Sequence, residues 1–575
     1  MNAEFDHIIV GAGSAGCVIA RRLVDAGRRV ALIEAGGPDD NPAIHAPGRA
    51  WELWNSPEDY AYVTEPQEHS LKTSVFWPRG KVLGGSSALN GMIYVRGARQ
   101  DFDNWAYNGA VGWSYDEVLP FFKRSEDFED GPSGYHGSGG PLPVTRNHRP
   151  NPASLAFLDA CAAYGLPRND DCNGEHILGA GLTHHTIKDG RRVSAWNAFT
   201  LPVTGSPLLT VITGAQVTRL LFDGSGRAIG VRLAQAGRPL IPRTYRGDSP
   251  AAPRSADWPA TEVRCSGDVI VSSGVIGSPQ LLLLSGIGPA DDLRALGIGV
   301  TADLPGVGAN LHDHVLATVL WESARTVPPG ESNNLEAQFF AASDPAMPAP
   351  DLQPLMSHFP MPVPGYPVPD YGDGYAVVAG VIRPLSRGRL WLRSADPAEP
   401  PALDPHYLEE PADVRALVTA MRMSREIGAG DALKDWRARE IAPGPDVRTD
   451  AEIADYSMRT LLSYHHQVGT CKMGIDRLAV TTPDLRVHGV EGLRVADASV
   501  MPAVPSGNTN AATIMIGERC ADFLTRDRTA RPWARAASAE SGTWATLPGR
   551  ARPAVTWPPR PCGSAAAGST SPRSA

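Results

Sequence analysis

The chain has 575 residues, of which 42% are hydrophobic and 20% charged, and its formal net charge is -9 at pH 7. This length predicts two or more domains of ordinary globular composition, and the acidic balance without a basic cluster argues against nucleic acid as a partner. Seven cysteines without a C-x-x-C pair fit neither a disulfide framework nor a zinc site, so we expect a reducing, cytoplasmic location.

The first strand begins almost at the N-terminus, so we expect no signal peptide. No apolar run reaches the roughly 20 residues of a membrane span. Peripheral association with a membrane stays open, and no pattern indicates the oligomeric state.

The first forty residues read as strand, glycine turn, helix, strand and acidic residue, beginning with the apolar strand His7–Val10. Three glycines with the spacing G-x-G-x-x-G follow: Gly11, Gly13 and Gly16. They predict a tight turn, close approach of a pyrophosphate, and tight packing of a helix from Ser14 to about Asp25. Glu34 ends the second strand, where a carboxylate can bind ribose hydroxyls. The unit predicts a dinucleotide site, with NAD and FAD both open.

A second glycine-rich stretch spans residues 79–92 and carries little side-chain bulk. A flat ligand can lie against its peptide groups, with Asn90 as an oriented amide. A flexible linker is the alternative, but the apolar residues Val82, Leu83, Leu89 and Met92 favour a buried segment.

Helices are predicted where apolar residues recur on one face, at 113–123, 152–165, 411–427 and 450–462. Ser114 caps the first, and Thr449 with Glu452 forms a capping box at the last. Strands are predicted at 208–212, 217–222, 228–233, 268–271 and 389–395.

Three stretches read as irregular. Residues 325–372 are rich in proline and aromatic residues, which is typical of a lid or binding loop. Residues 235–260 predict an exposed loop. Residues 528–575, with Arg, Pro, Ala, Ser and Gly in no period, predict a disordered tail.

Five blocks in a fixed order resemble the glucose–methanol–choline family of flavin oxidoreductases. They are residues 79–90, 278–289, 304–314, 466–474, and 492–502 with 507–515. The resemblance extends from Asp6 to about Leu524, and it is nearest to the bacterial choline and alcohol dehydrogenase-like branch.

The resemblance implies FAD rather than NAD, and an α/β fold with a Rossmann-like FAD-binding domain built from discontinuous segments. Those segments would be 1–155, 206–315 and 466–527. The segments 156–205 and 316–465 would form an α+β substrate domain with a large, mostly antiparallel sheet. Leu89 stands where members with covalent flavin often carry histidine, and leucine cannot make that bond, so we expect non-covalent FAD.

The glycine motif and the resemblance together predict the cofactor-binding residues. They are Gly11, Gly13, Ser14, Ala15, Gly16, Glu34, Ala35, Gly84, Ser86, Asn90, Gly91, Met92, Val217, Asp497 and Ala498. Val217 resembles a family position that contacts adenine through its backbone. Asp497 follows an apolar strand, as acids near flavin phosphate or ribityl groups do, with a turn-capping aspartate as the alternative.

By resemblance, His466 and Asn510 form the catalytic pair of an alcohol oxidation. Histidine suits the base that takes the hydroxyl proton, and a neutral amide can donate to the alcohol oxygen as charge develops. A hydride would pass from the carbinol carbon to flavin N5, so a primary alcohol would give an aldehyde. The electron acceptor, oxygen or another carrier, stays open.

Each candidate has a plainer alternative. Outside its block His466 would read as a structural histidine, and the adjacent His465 is a second candidate base. The pairs His184–His185 and His312–His314 lack the carboxylate or thiol pattern that would complete a metal site, so no metal is expected. Cys471 has no base beside it and reads as packing.

Departures from the family pattern concern the substrate. Gln467 and Ala512 each replace a frequent proline, and His465 is also unusual, so the pocket is expected to differ from that of near relatives. Four aromatic residues favour an aromatic or heteroaromatic alcohol: Trp51, Trp54, Phe359 and Tyr366. A hydroxynitrile lyase of the same fold is the alternative function, and an NAD-linked Rossmann protein is disfavoured by the later blocks.

Overall fold

The structure is a computed structural model that describes residues 5–71, 73–235, 260–330 and 332–526. The predicted tail 528–575 and nearly all of the predicted loop 235–260 lie outside the described residues. No helix within these ranges is both long enough and apolar enough to cross a membrane.

The α-helices of the described ranges are numbered in chain order. They are α1 Ser14–Asp25, α2 Pro42–His45, α3 Arg99–Tyr107, α4 Tyr115–Ser125, α5 Pro152–Tyr164, α6 Gly274–Leu284, α7 Ala290–Ala295, α8 Pro411–Gly428, α9 Asp450–Arg459 and α10 Asn510–Arg526.

The β-strands of the same ranges are numbered in the same way. They are β1 His7–Val10, β2 Val30–Ile33, β3 Tyr62–Val63, β4 Phe76–Trp77, β5 Glu126–Phe128, β6 Leu142–Val144, β7 Gly179–Leu182, β8 Ile187–Lys188, β9 Arg191–Arg192, β10 Leu209–Ile212, β11 Ala215–Phe222, β12 Ala228–Gln235, β13 Ala260–Arg264, β14 Val269–Val271, β15 Ile287–Gly288, β16 Ala302–Asp303, β17 Val315–Ser323, β18 Ala337–Phe340, β19 Leu355–Ser357, β20 Gly374–Val381, β21 Arg389–Trp391, β22 Ala402–Asp404, β23 Arg437–Ala442, β24 Leu462–Ser463 and β25 Leu493–Val495.

Five parallel strands form the first sheet, in the order β10-β2-β1-β14-β25. These strands are short and mostly apolar, as expected for a parallel sheet covered on both faces. Helix α1 packs against β1 and β2. The turn after β1 and the end of β2 therefore meet at the carboxyl edge of the sheet, where such folds bind ligands. The predicted first strand and helix have the bounds observed for β1 and α1.

The second sheet has seven strands and is antiparallel, in the order β23-β17-β20-β19-β18-β7, with β24 also paired to β17. Helix α8 packs against β17 and β20, and β20 is buried along its whole length. The expected α/β fold with a large antiparallel second sheet is confirmed. The division of the chain into alternating FAD-binding and substrate segments stays a prediction.

The segment 325–372 contains regular structure that the sequence did not indicate. Strands β18 and β19 pair with each other inside the antiparallel sheet. Gln338 lies within β18 and Gln353 just before β19, and both side chains are buried. Buried amides and flanking prolines in such short strands hide the alternating apolar pattern that would have marked them.

Two predicted elements are shorter than expected. The helix predicted over 450–462 ends at Arg459, because Leu462 and Ser463 pair as β24 with β17. The strand predicted over 389–395 ends at Trp391 and pairs with β22. The predicted capping box is present, since the Glu452 N–H donates to Thr449 Oγ1 and the Thr449 N–H donates to Glu452 Oε2.

Candidate active site

One cavity of about 870 Å³ brings most of the predicted site residues together. Its wall includes both predicted catalytic residues, His466 and Asn510. The predicted cofactor residues on the wall are Gly11, Gly13, Ser14, Ala15, Glu34, Ala35, Ser86, Asn90, Gly91, Met92, Val217, Asp497 and Ala498. Gly16 and Gly84 are the two that do not line it.

The two glycine-rich segments lie in backbone contact with each other. The Gly84 N–H donates to the Ala12 carbonyl oxygen at 2.8 Å. A Cβ atom on Gly85 would lie 2.8 Å from the Gly13 Cα, closer than real Cβ atoms approach. Together with the N-terminus of α1, these bare peptide groups form a groove that suits a pyrophosphate.

Gly16 allows α1 to reach this turn. A Cβ atom at residue 16 would lie 2.0 Å from the Gly11 carbonyl oxygen, so no larger residue fits. Gly11 itself has φ of +104°, a backbone conformation that favours glycine. The spacing that the sequence showed therefore has a steric cause, although Gly16 does not line the cavity.

Glu34 follows β2 and places its carboxylate in the cavity wall. Its Oε2 accepts the Ala12 N–H at 2.9 Å, and its Oε1 accepts the Gly36 N–H at 2.9 Å. Each carboxylate oxygen can accept a further bond, so capacity remains for ribose hydroxyls. Burial raises the pKa of Glu34, while the backbone donors and Lys81 oppose that shift.

Arg192 is a buried residue that sequence analysis missed. It donates to the backbone oxygen of Asn90 at 2.6 Å and to its side-chain oxygen at 2.7 Å. The Met92 N–H donates to the same side-chain oxygen at 3.0 Å. Asn90 therefore keeps its NH₂ group for the cavity. No local pattern marks Arg192, because its partner lies 102 positions earlier in the chain.

Asp497 caps a turn, as in the second of the two alternatives, and it also lies on the cavity wall. Its Oδ1 accepts the Ser499 N–H at 2.8 Å and caps the short turn after β25. Its Oδ2 accepts the Gly274 N–H at 2.9 Å and the Ser278 hydroxyl at 2.5 Å. The capping aspartate therefore also fixes the first residue of α6 at the cavity wall.

His466 lies on the cavity wall with contacts around its ring. The ring stacks on Tyr464, with centroids 5.3 Å apart. Its Nδ1 lies 2.9 Å from Nδ1 of His314, and its Nε2 lies 3.2 Å from Nδ2 of Asn508. The ring is thus held between one buried imidazole and one amide.

Asp313 anchors the backbone of His466. Its Oδ1 accepts the His466 N–H at 2.8 Å, and its Oδ2 accepts from Tyr407, Ser463 and the Gln467 amide. Burial raises the pKa of Asp313, while these hydrogen bonds oppose that shift. Asp313 lies in the block 304–314, but sequence analysis gave it no role.

The structure brings Asn508, not the predicted Asn510, to His466. Asn510 begins α10 and accepts the Ser14 hydroxyl through Oδ1 at 2.6 Å. Across the described ranges no hydrogen bond joins Asn510 to His466. The resemblance located the block but could not tell which of two asparagines, two positions apart, faces the histidine.

The electrostatic setting keeps His466 neutral. Burial holds the pKa of His466 well below 6.5, and His314, His465 and Arg79 lower it further. Arg79 is close because it donates to the His465 carbonyl oxygen at 2.5 Å. The neutral imidazole is the form that can accept a proton.

His465, the second candidate base, is oriented differently. Its φ is +65°, and its ring packs edge-on against Trp54 with centroids 5.1 Å apart. Burial lowers the pKa of His465 to about 3. Its Nδ1 and the Oε1 of Gln467 have no hydrogen-bond partner within the described residues. Both histidines line the cavity, and the contact with the Asn508 amide, which His466 makes, distinguishes them.

Three of the four predicted substrate-pocket aromatics line the cavity: Trp51, Trp54 and Phe359. Tyr366 does not, and it packs edge-on against Tyr456 instead, with centroids 5.7 Å apart. Apolar side chains also line the cavity: Leu316, Leu355, Met361 and Val378. Leu89 lies on the same wall and offers no atom for a covalent bond to a flavin.

The histidines that suggested metal ligands bond to protein groups. His312 contacts the Asn310 carbonyl oxygen and the Val504 N–H, and His185 contacts the Thr183 hydroxyl. In the part of the chain that the structure describes, no group of three or more His, Cys, Asp or Glu is placed to hold a metal.

The parallel sheet, the glycine groove and the cavity with its histidine–amide pair are features of a dinucleotide-dependent oxidoreductase. Two family models, both described as GMC oxidoreductase, match residues 5–316 and 384–517. The chain belongs to the GMC oxidoreductase family. It is therefore an FAD-dependent enzyme that acts on CH–OH donors, as the resemblance implied.

Relatives match almost the whole chain. The alcohol dehydrogenase [acceptor] of Pseudomonas putida is 38% identical, over 91% of this chain and 96% of its own. The mitochondrial choline dehydrogenase of Homo sapiens is 39% identical, over 91% and 90%. Among solved structures, pyridoxine 4-oxidase from Mesorbium loti has a TM-score of 0.84 at 34% identity, over 90% and 99%.

Proposed function

We propose that the protein oxidises a primary alcohol to an aldehyde, with His466 as the base and Asn508 as the donor to the alcohol oxygen. The observation that carries this is the 3.2 Å contact between His466 Nε2 and Asn508 Nδ2 on the wall of the FAD cavity. An alcohol hydroxyl that bridges these two atoms from the cavity side would donate to Nε2 and accept from the amide.

When bound, FAD supplies at its N5 the acceptor for the hydride that leaves the carbinol carbon. His466 takes the hydroxyl proton, because its ring is neutral and the bound alcohol hydroxyl would replace the Asn508 NH₂ group as the donor to Nε2. Asn508 stabilises the negative charge that grows on oxygen as the proton leaves, since its NH₂ group is already in position. The substrate thus loses one proton and one hydride, which is the two-electron oxidation of an alcohol.

The residues proposed to hold FAD are those on the cavity wall. The groove at Gly11, Gly13 and the N-terminus of α1 would take the pyrophosphate, and Glu34 the adenosine ribose. Val217 would contact adenine through its backbone. Asn90 would present its NH₂ group to the flavin half of the cofactor. Because Leu89 cannot form a covalent link, we propose that the flavin is non-covalent.

We propose an uncharged substrate with an apolar or aromatic body. The buried carboxylates on the cavity wall, Glu34, Asp59 and Asp497, already accept backbone N–H groups. Two others, Asp396 and Glu399, lie on a loop beside α6, where Gln280 donates to the Glu399 carbonyl. The cluster that contains Tyr464, which stacks on His466, is apolar.

The test is anaerobic mixing of the purified flavoprotein with a panel of alcohols: benzyl alcohol, pyridoxine, 1-hexanol, 3,3-dimethylbutan-1-ol and choline. We expect bleaching of the flavin absorbance by an uncharged member, and none when His466 is replaced by alanine. Readmission of air then separates an oxidase from an enzyme that needs another acceptor. Cyanide release from mandelonitrile without bleaching by any alcohol would favour the lyase instead.

A further inference from the structure

Buried amides connect the antiparallel sheet to the active-site pair. Gln353 Nε2 donates to Gln338 Oε1 at 2.9 Å and to Asn508 Oδ1 at 3.2 Å. Gln353 is 0% exposed, and its backbone is fixed because its N–H donates to Gly380 and its carbonyl accepts from Tyr464. Gln353 therefore reaches Asn508 from inside the sheet.

The orientation of these amides decides which group Asn508 presents to His466. An amide oxygen and nitrogen have nearly the same shape, so their orientation follows from their partners. Gln353 donates its NH₂ group to Asn508, which accepts through Oδ1. This orients the NH₂ group of Asn508 toward His466 Nε2. A reversed Gln353 would set its Oε1 against the oxygens of both Gln338 and Asn508.

His314 determines the other side of the His466 ring. The 2.9 Å contact between the two Nδ1 atoms requires that one ring donates and the other accepts. Because Nε2 of His466 accepts from Asn508, the neutral ring carries its proton on Nδ1 and donates it to His314. Burial lowers the pKa of His314 to about 3, so His314 stays neutral. Its Nδ1 is then the acceptor for the His466 proton, which places its own proton on Nε2.

We propose that Gln353 and His314 are positioning residues for the alcohol oxidation: Gln353 orients the Asn508 amide, and His314 selects the His466 tautomer. Neither touches the reacting atoms. Together they keep Nε2 of His466 unprotonated and the Asn508 NH₂ group pointed at it. Proton abstraction needs an unprotonated nitrogen, and stabilisation of the alkoxide needs a hydrogen-bond donor beside it. The inference rests on the proposed function of His466 and Asn508.

Gln353 is tested with two substitutions in two backgrounds. Gln353→Glu leaves one donor for both Gln338 and Asn508 when the buried acid is protonated, and none when it is ionised, whereas Gln353→Met removes the polar contacts at similar volume. We expect Gln353→Glu to slow flavin reduction at least about tenfold, and Gln353→Met less, with FAD content unchanged.

In an Asn508→Ala background the same substitutions should change the rate by less than about twofold, because Gln353 then has no amide to orient. This non-additivity distinguishes positioning from a general loss of structure. If the Gln353 substitutions slowed flavin reduction by equal factors in both backgrounds, the role of Gln353 would be overturned. It would also be overturned if neither substitution slowed flavin reduction in the wild-type background.

His314 is tested by a conservative rescue. In His314→Asn the side-chain oxygen can accept close to where Nδ1 accepted, whereas His314→Leu offers no acceptor. We expect His314→Asn to keep its rate of flavin reduction within about threefold, and His314→Leu to lose about tenfold or more. Equal losses in the two variants would indicate a structural role only and would overturn the inference.

The probe is the panel alcohol that reduces the wild-type flavin fastest. Failure of every alcohol to bleach the wild type would refute the proposed function and this inference with it. Bleaching of the wild type and of all the Gln353 and His314 variants at one rate would overturn the inference alone.

Discussion

Alanine substitution at the two neighbouring asparagines gives opposite expectations. Asn508→Ala removes the amide that faces His466 Nε2. Asn510→Ala removes the acceptor of the Ser14 hydroxyl at the start of α1 and leaves the contact between Asn508 and His466 in place. The first variant should therefore slow the chemistry, and the second should weaken the holding of FAD.

The magnitudes follow from what each side chain contacts. Loss of one donor to a developing oxyanion lowers a rate by about 100- to 1,000-fold, or about 2.7–4 kcal/mol. Asn508 is half-buried and offers a single donor at 3.2 Å, so we expect the lower end, about 100-fold. For Asn510→Ala, the loss of one neutral hydrogen bond of about 1 kcal/mol that positions Ser14 sets an upper limit of about fivefold on the weakening of FAD binding.

The assay is anaerobic stopped-flow measurement of flavin reduction at saturating alcohol, after reconstitution of each variant with excess FAD. FAD affinity is measured separately, by titration of the stripped protein. If Asn510→Ala slowed flavin reduction about 100-fold while Asn508→Ala kept the wild-type rate, the proposed role of Asn508 would be refuted. The pairing of His466 with Asn510, predicted from the sequence, would then stand.

Three further expectations concern charge. Burial holds the pKa of His466 well below 6.5, so the rate of flavin reduction should stay constant from about pH 9 to about pH 6.5 and fall only in more acidic solution. A rate that had fallen to half near pH 7 would contradict this expectation. Burial lowers the pKa of His185 to about 3. Below about pH 6.5 the unfolded chain therefore takes up a proton at His185 that the folded chain excludes. This one group lowers the free energy of unfolding by about 1.4 kcal/mol per pH unit as the pH falls. In denaturant unfolding, the free energy of unfolding of His185→Gln should decline less steeply with falling pH than that of the wild type. An unchanged slope would contradict this expectation. In the alcohol panel, 3,3-dimethylbutan-1-ol should reduce the flavin at least about tenfold more efficiently than choline, its cationic isostere. The reason is that the buried lining carboxylates Glu34, Asp59 and Asp497 already accept backbone N–H groups. A preference for choline would refute the uncharged substrate class.

Local patterns predicted the nucleotide unit well. The bounds of β1 and α1 follow from an apolar strand, a glycine turn and an amphipathic helix within a few residues of each other. Steric limits at Gly11 and Gly16 leave few alternatives to glycine. Such features can be read from sequence because cause and effect lie close together in the chain.

The surroundings of His466 were predicted less completely, because the contacts there join distant segments of the chain. His466 was predicted from its block with Asn510 as its partner, whereas the structure places Asn508 there, since the turn before α10 decides which asparagine contacts His466. Asp313 and Gln353 reach this pair from 153 and 155 positions away. No spacing within one segment could indicate such partners.

The anchoring of His466 through Asp313 has a consequence for redesign. The base is secured by a carboxylate that is not among the cavity-lining residues, whereas the apolar lining comes from other side chains, such as Leu316 on β17, Leu355 on β19 and Val378 on β20. Substitutions in this lining can therefore alter the shape offered to an alcohol and leave the Asp313 anchor of the His466 backbone in place. Leu316, Leu355 and Val378 also belong to the apolar cluster of Tyr464, on which the His466 ring stacks. Laboratory evolution of substrate choice can therefore vary this lining, provided that the contact between Tyr464 and His466 is retained.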